Sequence, residues 1–399
     1  MKYIVVLGDG MADEPIEELG GKTPLEYASI DHINKLAKKS GLGLCKTIPD
    51  GMSPGSDIAN LSVLGYDPER YYTGRSSLEA LSVGVKMKSS DVSFRCNFVT
   101  LSEEDAYEDK RIIDHSSGEI STEEAEVLIK EVKKHFDSEQ FIFYVGTSYR
   151  HLTIWDKGEV LEITPPHDIL GKKITDYLPT NHRLKEMMKK SFDILNNHPI
   201  NIERERKGLN KANSIWFWGA GTKPKLDSFE SKFGKKASMI SAVDLLKGIA
   251  VGAGIDVIEV EGANGSLDTN YEGKAKAAIK ALLEDGQDFV YIHVEAPDEM
   301  GHQGSLSNKI KAIEYIDKRI VTILLDELRS SKIAFKMLIM PDHPTPISYR
   351  THTSEPVPYL IYNSEKELNN ALNYNEKDAK ESGNFIEEGN TLMKKFLTE

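Results

Sequence analysis

Three aspartates, three histidines and one serine stand in this sequence where a pair of divalent cations and a phosphoryl group would use them. Asp9 follows the apolar run Tyr3–Leu7, Asp298 precedes His302 by four residues, Asp342 adjoins His343, and His352 lies a little further on. Side chains four apart on a helix share a face, which suits Asp298 and His302 to one ion. Asp342 and His343, being adjacent, are expected to point in different directions, and so could serve two different ions, or one ion and its neighbour. The donors are carboxylate oxygens and imidazole nitrogens with no thiolate, a mixture that fits Mn²⁺, Mg²⁺ or Zn²⁺ in a two-metal site. Each fragment alone is ordinary, because an aspartate after a strand commonly caps a helix or closes a turn. Together they carry weight, since Asp9, Asp298 and Asp342 each follow a predicted strand.

Ser56 is the candidate nucleophile. It sits in Pro54-Gly55-Ser56-Asp57, a tight turn opening a predicted helix that runs to Leu64. A serine hydroxyl attacks poorly at neutral pH, and a coordinated cation lowers its pKa without a histidine base. The helix N-terminus adds free backbone N–H groups for an arriving phosphate. Cations that could bind the rest of an anionic substrate are Arg75 in a glycine-hinged turn, Arg150 and His151 after an apolar strand, and Lys236 before another.

Something must bring these distant residues together. Tyr3–Leu7 is a continuous β-favouring run, as expected of a strand covered on both faces. Further strands are predicted at 215–218, 237–240, 255–260, 288–294 and 335–340, with helices at 25–39, 242–251, 271–284, 306–329 and 385–396. This alternation argues for βαβ units and a parallel sheet. The carboxyl ends of parallel strands lie along one edge, where ligands bind. Between about 86 and 209 the character changes: strands at 92–101, 141–145 and 152–156 accompany helices at 121–136 and 181–195. Ser121 with Glu124 forms a capping box there. This block reads as a separate α+β unit.

The chain has 399 residues, with 50 basic against 63 acidic side chains and a net charge of −13. That argues against a nucleic-acid binder, which normally needs a net basic face, and against an anionic membrane surface as partner. No stretch approaches a membrane span, and the first apolar run is too short for a signal peptide. Cys45 and Cys96 have neither zinc nor redox spacing and are expected to be buried thiols in a reducing cytoplasm.

The motifs GDGMAD, PGSDIANLSVLGYDPERYYTGRSSLEAL, SYRHL, ISAVDLLKGI, EAPDEMGHQG and MPDHPTP resemble the cofactor-independent phosphoglycerate mutases. The likeness is to their archaeal-type branch within the alkaline phosphatase superfamily, and it runs over nearly the whole chain. It implies an α/β, alkaline-phosphatase-like, mostly parallel sheet with helices on both faces (1–85 and 210–399) and an inserted α+β cap (86–209) that closes over it. It also implies interconversion of 3- and 2-phosphoglycerate through a phosphoserine at Ser56, with two divalent ions, Mn²⁺ foremost, and no bisphosphoglycerate. Asp9, Ser56, Asp342 and His343 would hold one ion; Asp298, His302 and His352 would hold the other. Arg75, Arg150, His151 and Lys236 match positions that bind the substrate's phosphate and carboxylate. The sequence departs from the pattern at Trp218, where arginine is frequent, at Ile58 and Asn60 beside the nucleophile, and at Ser76 and Ser77. The missing arginine leaves phosphorylation of homoserine as the alternative activity.

Overall fold

The computed structural model describes residues 1–398. The chain divides into two compact units, Met1–Tyr72 with Lys225–Glu399, and Thr73–Pro224.

The first unit begins with β1 (Lys2–Gly8) and β2 (Gly41–Cys45). The second unit holds β3 (Asp91–Leu101), β4 (Ile112–Asp114), β5 (Phe141–Tyr144), β6 (Arg150–Asp156) and β7 (Ser214–Thr222). The first unit then resumes with β8 (Ala237–Ile240), β9 (Asp256–Val257), β10 (Phe289–Val294), β11 (Phe335–Met340), β12 (Val357–Asn363) and β13 (Phe385–Ile386).

Eight strands build the first unit's sheet in the order β13-β2-β12-β11-β1-β10-β8-β9. The run β11-β1-β10-β8-β9 is parallel throughout, while β12 runs antiparallel to both β11 and β2. Ile4, Val5, Val6 and Leu7 are completely buried, so both faces of β1 are covered, as its unbroken apolar run required. One core joins Ile4 and Val6 to Val290, Ile292, Met337 and Ile339 and to helix Tyr271–Leu283.

β12 decides the shape of the functional edge. Because it returns antiparallel beside β11, the segment 341–356 leaves and re-enters the sheet at the same end. Asp342, His343 and His352 all lie in that segment. β12 and β2 were not expected from the sequence. The β2 run Gly-Leu-Gly-Leu-Cys has weak strand propensity, yet a Cβ on Gly43 would lie 2.7 Å from the Asn384 carbonyl. Close packing, not propensity, places glycine there.

Three predicted helices differ. The stretch 25–39 breaks into Pro24–Tyr27 and Asp31–Ala37, where Ser29 N–H donates to Glu314. The stretch 306–329 contains a π-helical turn at Asp317–Val321. That turn lets the buried Asp317 carboxylate accept from Ile33 N–H at 2.7 Å, capping helix Asp31–Ala37, which has no side-chain cap of its own. Within the stretch 385–396, Phe385–Ile386 pairs with the edge of β2, and the α-helix begins only at Leu392.

The second unit is an antiparallel sheet in the order β4-β3-β6-β5, with β7 on the other side of β3. Its core packs Phe94, Phe98, Phe143, Phe217 and Trp216 with helices Thr122–Phe136 and His182–Leu195. The unit is wider than 86–209: it includes helix Arg75–Ser82 and β7, both tied to β3. Its two ends are joined, since Thr222 N–H donates to the Thr73 carbonyl at 3.0 Å and the Thr73 hydroxyl to the Thr222 carbonyl at 2.8 Å. Gly74 completes the junction at φ 115°, where a Cβ would strike the Ala220 carbonyl oxygen. Among the described residues no helix is long and apolar enough to cross a membrane.

Candidate active site

Parallel strands deliver the aspartates as expected. Asp9 follows β1, Asp298 lies on helix Ala296–His302 just after β10, and Asp342 follows β11. Gly10 lets them approach. It adopts φ 63°, and a Cβ there would come within 2.8 Å of the Asp298 backbone and 2.5 Å of the Thr345 hydroxyl.

All seven expected site residues on this edge converge. Ser56 Oγ lies 3.1 Å from His343 Nε2, which stands 3.5 Å from both Asp9 Oδ1 and Asp342 Oδ2. Asp298 lies 3.2 Å from His302 Nε2 and 3.4 Å from His352 Nε2, and those two nitrogens are 3.0 Å apart. Adjacent Asp342 and His343 thus converge instead of diverging, because Asp342 is turned back by the Gly10 and His343 backbone N–H groups. Two groupings offer ligand atoms within 4.8 Å of one another: Asp9, Asp342 and His343, and Asp298, His343 and His352. His343 falls in both, between the two ion positions assigned from the motifs.

The residues fit a pair of cations on three counts. Asp9 Oδ1 is buried without a hydrogen-bond partner among the described residues, a costly state for a carboxylate unless something positive fills it. The imidazoles also present the correct nitrogen. His302 Nδ1 lies 3.0 Å from the Arg350 carbonyl and must donate to it, which leaves Nε2 facing the cluster. Thr345 donates to Asp298 and therefore accepts from His343 Nδ1 at 3.3 Å, leaving that Nε2 inward too. Finally, the electrostatics are those of crowded ligands. Burial, then Asp342, Asp298 and Glu295, hold the Asp9 carboxyl well above its ordinary range. Burial would also raise Asp298, but hydrogen bonds from His302 and His352 pull it well below. The Asp298 hydrogen bond in turn raises His302 to about 9.

Sequence reasoning missed the residues that orient this set. Asn60 donates to Asp342 Oδ2 and to the Ser56 carbonyl, both at 2.8 Å, and accepts from Tyr291 at 2.6 Å. Its departure from the family pattern was the available signal. Lys309, fully buried, pairs with Asp13 at 2.7 Å and donates to the Ala12 and Thr345 carbonyls, clamping the two ligand loops together.

The four substrate-binding candidates separate. Arg75 and Arg150 belong to the second unit, where a chain of contacts joins Arg75, Glu79, Arg95 and Trp218. Glu79 accepts from Arg75 and Arg95, each at 3.0 Å, and the Arg95 guanidinium lies 4.4 Å from the Trp218 ring centre. His167 and His115 continue this cluster toward Tyr149, over whose ring Arg150 lies. Arg95, His115 and His167 were not anticipated. Trp216 and Trp218 lie in β7, both buried, and the Trp218 indole N–H has no partner among the described residues.

His151 does not face solvent beside Arg150. The two are successive residues of β6 and point to opposite faces. His151 is buried against Phe98, accepts from Gly146 N–H, and burial lowers it to about 3. Lys236 is exposed just before β8. Since β8 runs parallel to β10, Lys236 stands at the sheet edge opposite Asp298. The cluster of aspartates and histidines and Lys236 are therefore not brought together. Cys45 and Cys96 are buried free thiols, pushed up to about 12 by burial.

A profile of the 2,3-bisphosphoglycerate-independent phosphoglycerate mutases matches residues 37–201. The enzyme of that name from Methanosarcina barkeri is 51% identical over 95% of each chain. Among solved structures, the PH0037 protein of Pyrococcus horikoshii superposes with a TM-score of 0.82 at 31% identity, covering 99% of this chain and 97% of that one. The cofactor-independent phosphoglycerate mutase of Thermoplasma acidophilum shares the fold, with a TM-score of 0.67 at 24% identity over 100% of this chain and 99% of the other. With half its residues matched over nearly its full length, the chain belongs to the family of 2,3-bisphosphoglycerate-independent phosphoglycerate mutases.

Proposed function

We propose that this chain interconverts 3-phosphoglycerate and 2-phosphoglycerate through a phosphoserine formed at Ser56. The observation that carries the reading is the position of the Ser56 hydroxyl, at the first turn of helix Ser56–Val63 and 3.1 Å from His343 within the ligand cluster. Asp9, Ser56, Asp342 and His343 would hold one divalent cation, and Asp298, His302 and His352 the other. Bound there, the cations supply a lowered hydroxyl pKa and screening of phosphoryl charge. Mn²⁺ is the ion we assign, following the motif resemblance; the carboxylate and imidazole donors accept it, as they would Mg²⁺ or Zn²⁺.

The chain's own groups do the rest. Ser56 Oγ gives up its proton and attacks phosphorus as the P–O bond to the 3-oxygen of glycerate breaks, and that oxygen takes up a proton. Glycerate then turns, its 2-oxygen loses a proton and attacks the phosphoserine, and the Oγ–P bond breaks to free Ser56. Asn60 holds the Ser56 carbonyl and Asp342 in register. Arg75 and Arg150, with the neighbouring Arg95, bind the carboxylate and phosphate, as charge-assisted hydrogen bonds to planar anions favour arginine. An inserted cap built on residues 86–209 is the part we assign to substrate binding, and it lies within the second compact unit. The unpaired buried thiols accord with a reducing, cytoplasmic setting.

The relatives' names support the mutase reading and lend nothing to homoserine phosphorylation. The test supplies 3-phosphoglycerate and Mn²⁺ without ATP or bisphosphoglycerate. Formation of 2-phosphoglycerate is expected. If none forms, while homoserine and ATP yield phosphohomoserine, the mutase reading is wrong.

A further inference from the structure

The two oxygens of Asp9 have different surroundings. Oδ2 lies 2.9 Å from His293 Nε2, whereas Oδ1 has no hydrogen-bond partner among the described residues and faces His343 Nε2 at 3.5 Å. His293 lies on β10 and is completely buried. Its Nδ1 is 3.2 Å from the hydroxyl of Ser241, which follows β8, and that hydroxyl accepts from Val243 N–H at 3.0 Å. The buried Lys274 amine donates to the His293 carbonyl at 2.8 Å and fixes the backbone here.

Donor and acceptor accounting orders this chain. When Asp9 is ionised to hold a cation its carboxylate only accepts, so His293 must carry its proton on Nε2 and present a lone pair at Nδ1. Ser241, already accepting from an amide, gives its hydroxyl proton to that lone pair. The series Val243 N–H to Ser241, Ser241 O–H to His293, His293 N–H to Asp9 therefore runs one way, ending on one oxygen of one candidate ligand.

We propose that His293 is a positioning residue, its tautomer set by Asp9 and supported by the Ser241 hydroxyl, that reserves Asp9 Oδ2 and leaves Asp9 to offer the cation Oδ1 alone. This inference rests on the metal-centre reading above. With Oδ2 held, the carboxylate cannot rotate to chelate through both oxygens, and Oδ1 stays aimed at the side occupied by His343. Hydrogen-bond partners behind a metal ligand commonly govern affinity by 10–100-fold.

The experiment has two arms, neither of which reads turnover. In the first, ¹⁵N-imidazole spectra of the full chain loaded with diamagnetic Zn²⁺ should show His293 protonated at Nε2, with Nδ1 as acceptor. A proton on Nδ1 would overturn the inference. In the second, calorimetry measures Mn²⁺ binding. His293→Leu should weaken it by about 10–100-fold, and His293→Gln, whose amide can still donate to Asp9 and accept from Ser241, should recover most of the loss. Ser241→Ala, a milder change that avoids the risk of misfolding, should weaken binding by several-fold, on the order of a few-fold to tenfold. Wild-type affinity in a folded His293→Leu or in Ser241→Ala sinks the inference while leaving the metal centre standing. Failure of the unmodified chain to bind Mn²⁺ at all overturns the metal-centre reading itself, and is seen before any variant is made.

Discussion

The hydroxyl of Ser56 lies 3.1 Å from Nε2 of His343, the imidazole shared by both groupings of candidate ligands. His343 reaches the hydroxyl from the loop after β11, Ser56 from the turn after β2, so the contact is made by tertiary structure alone. Ser56→Ala should keep Mn²⁺ binding within about tenfold, since the six carboxylate and imidazole ligands remain, while losing the acid-stable phosphoenzyme. Mass spectrometry after acid quench reads the outcome. A phosphoenzyme of wild-type amount in Ser56→Ala would move the nucleophile elsewhere.

His302 gives a pH dependence of defined sign. Its folded pKa is raised to about 9 by the Asp298 hydrogen bond. A raised histidine stabilises the fold below its unfolded value and loses that contribution as pH climbs through the folded one. Metal-free protein should therefore melt at lower temperature at pH 9.5 than at pH 7, and His302→Gln should flatten that part of the profile. Below pH 9 a cation must also displace this proton, so binding at pH 7 should release protons, measurable by calorimetry in buffers of different ionisation enthalpy.

Lys309 and Asp13 are both buried at 2.7 Å separation. Removing one partner strands a buried charge, and such changes cost about 3–5 kcal/mol. Lys309→Ala should lower stability by that order in urea melts. Because the amine also ties the Ala12 and Thr345 carbonyls, metal affinity should fall with it. A Lys309→Ala chain of unchanged stability would show that the clamp is incidental.

Arg150 and His151 should behave oppositely although adjacent. Arg150 is exposed on one face of β6, and loss of a charge-assisted contact to substrate corresponds to about 1.5–3 kcal/mol, or roughly 10–150-fold in KM. Arg150→Ala should show that change without a lower Tm. His151→Ala should lower Tm through the cavity left beside Phe98 and leave KM near the wild-type value. Steady-state kinetics and melting of the two variants separate these outcomes.

The candidate ligands were legible because parallel strands have a fixed polarity. Once Tyr3–Leu7, 288–294 and 335–340 are recognised as strands, Asp9, Asp298 and Asp342 must share an edge. What fails to show is what depends on packing. β2 carries glycine at position 43 because Asn384 presses on it there, so its propensity says loop. Lys236 precedes a correctly identified strand, yet a residue before a parallel strand lies at the wrong edge. In sequence Arg150 and His151 read as a pair following strand 141–145; they instead open β6, where alternation sends neighbours to opposite faces. Asn60, His293 and Lys309 act through other residues, and nothing in their spacing reveals those partners.

The hydrogen-bonded pair Thr73 and Thr222 has a consequence for how this chain tolerates change. About 150 residues intervene between the two, yet to the rest of the chain they amount to a single short crossing, because their ends are pinned together. The entropy of closing so long an insertion is met inside the insertion itself, and the eight-stranded sheet bears none of it. Lengthening, shortening or exchanging the inserted module between those two threonines therefore leaves the sheet's strand register untouched. A lineage can recast what the module recognises while the cluster at the sheet edge is inherited intact.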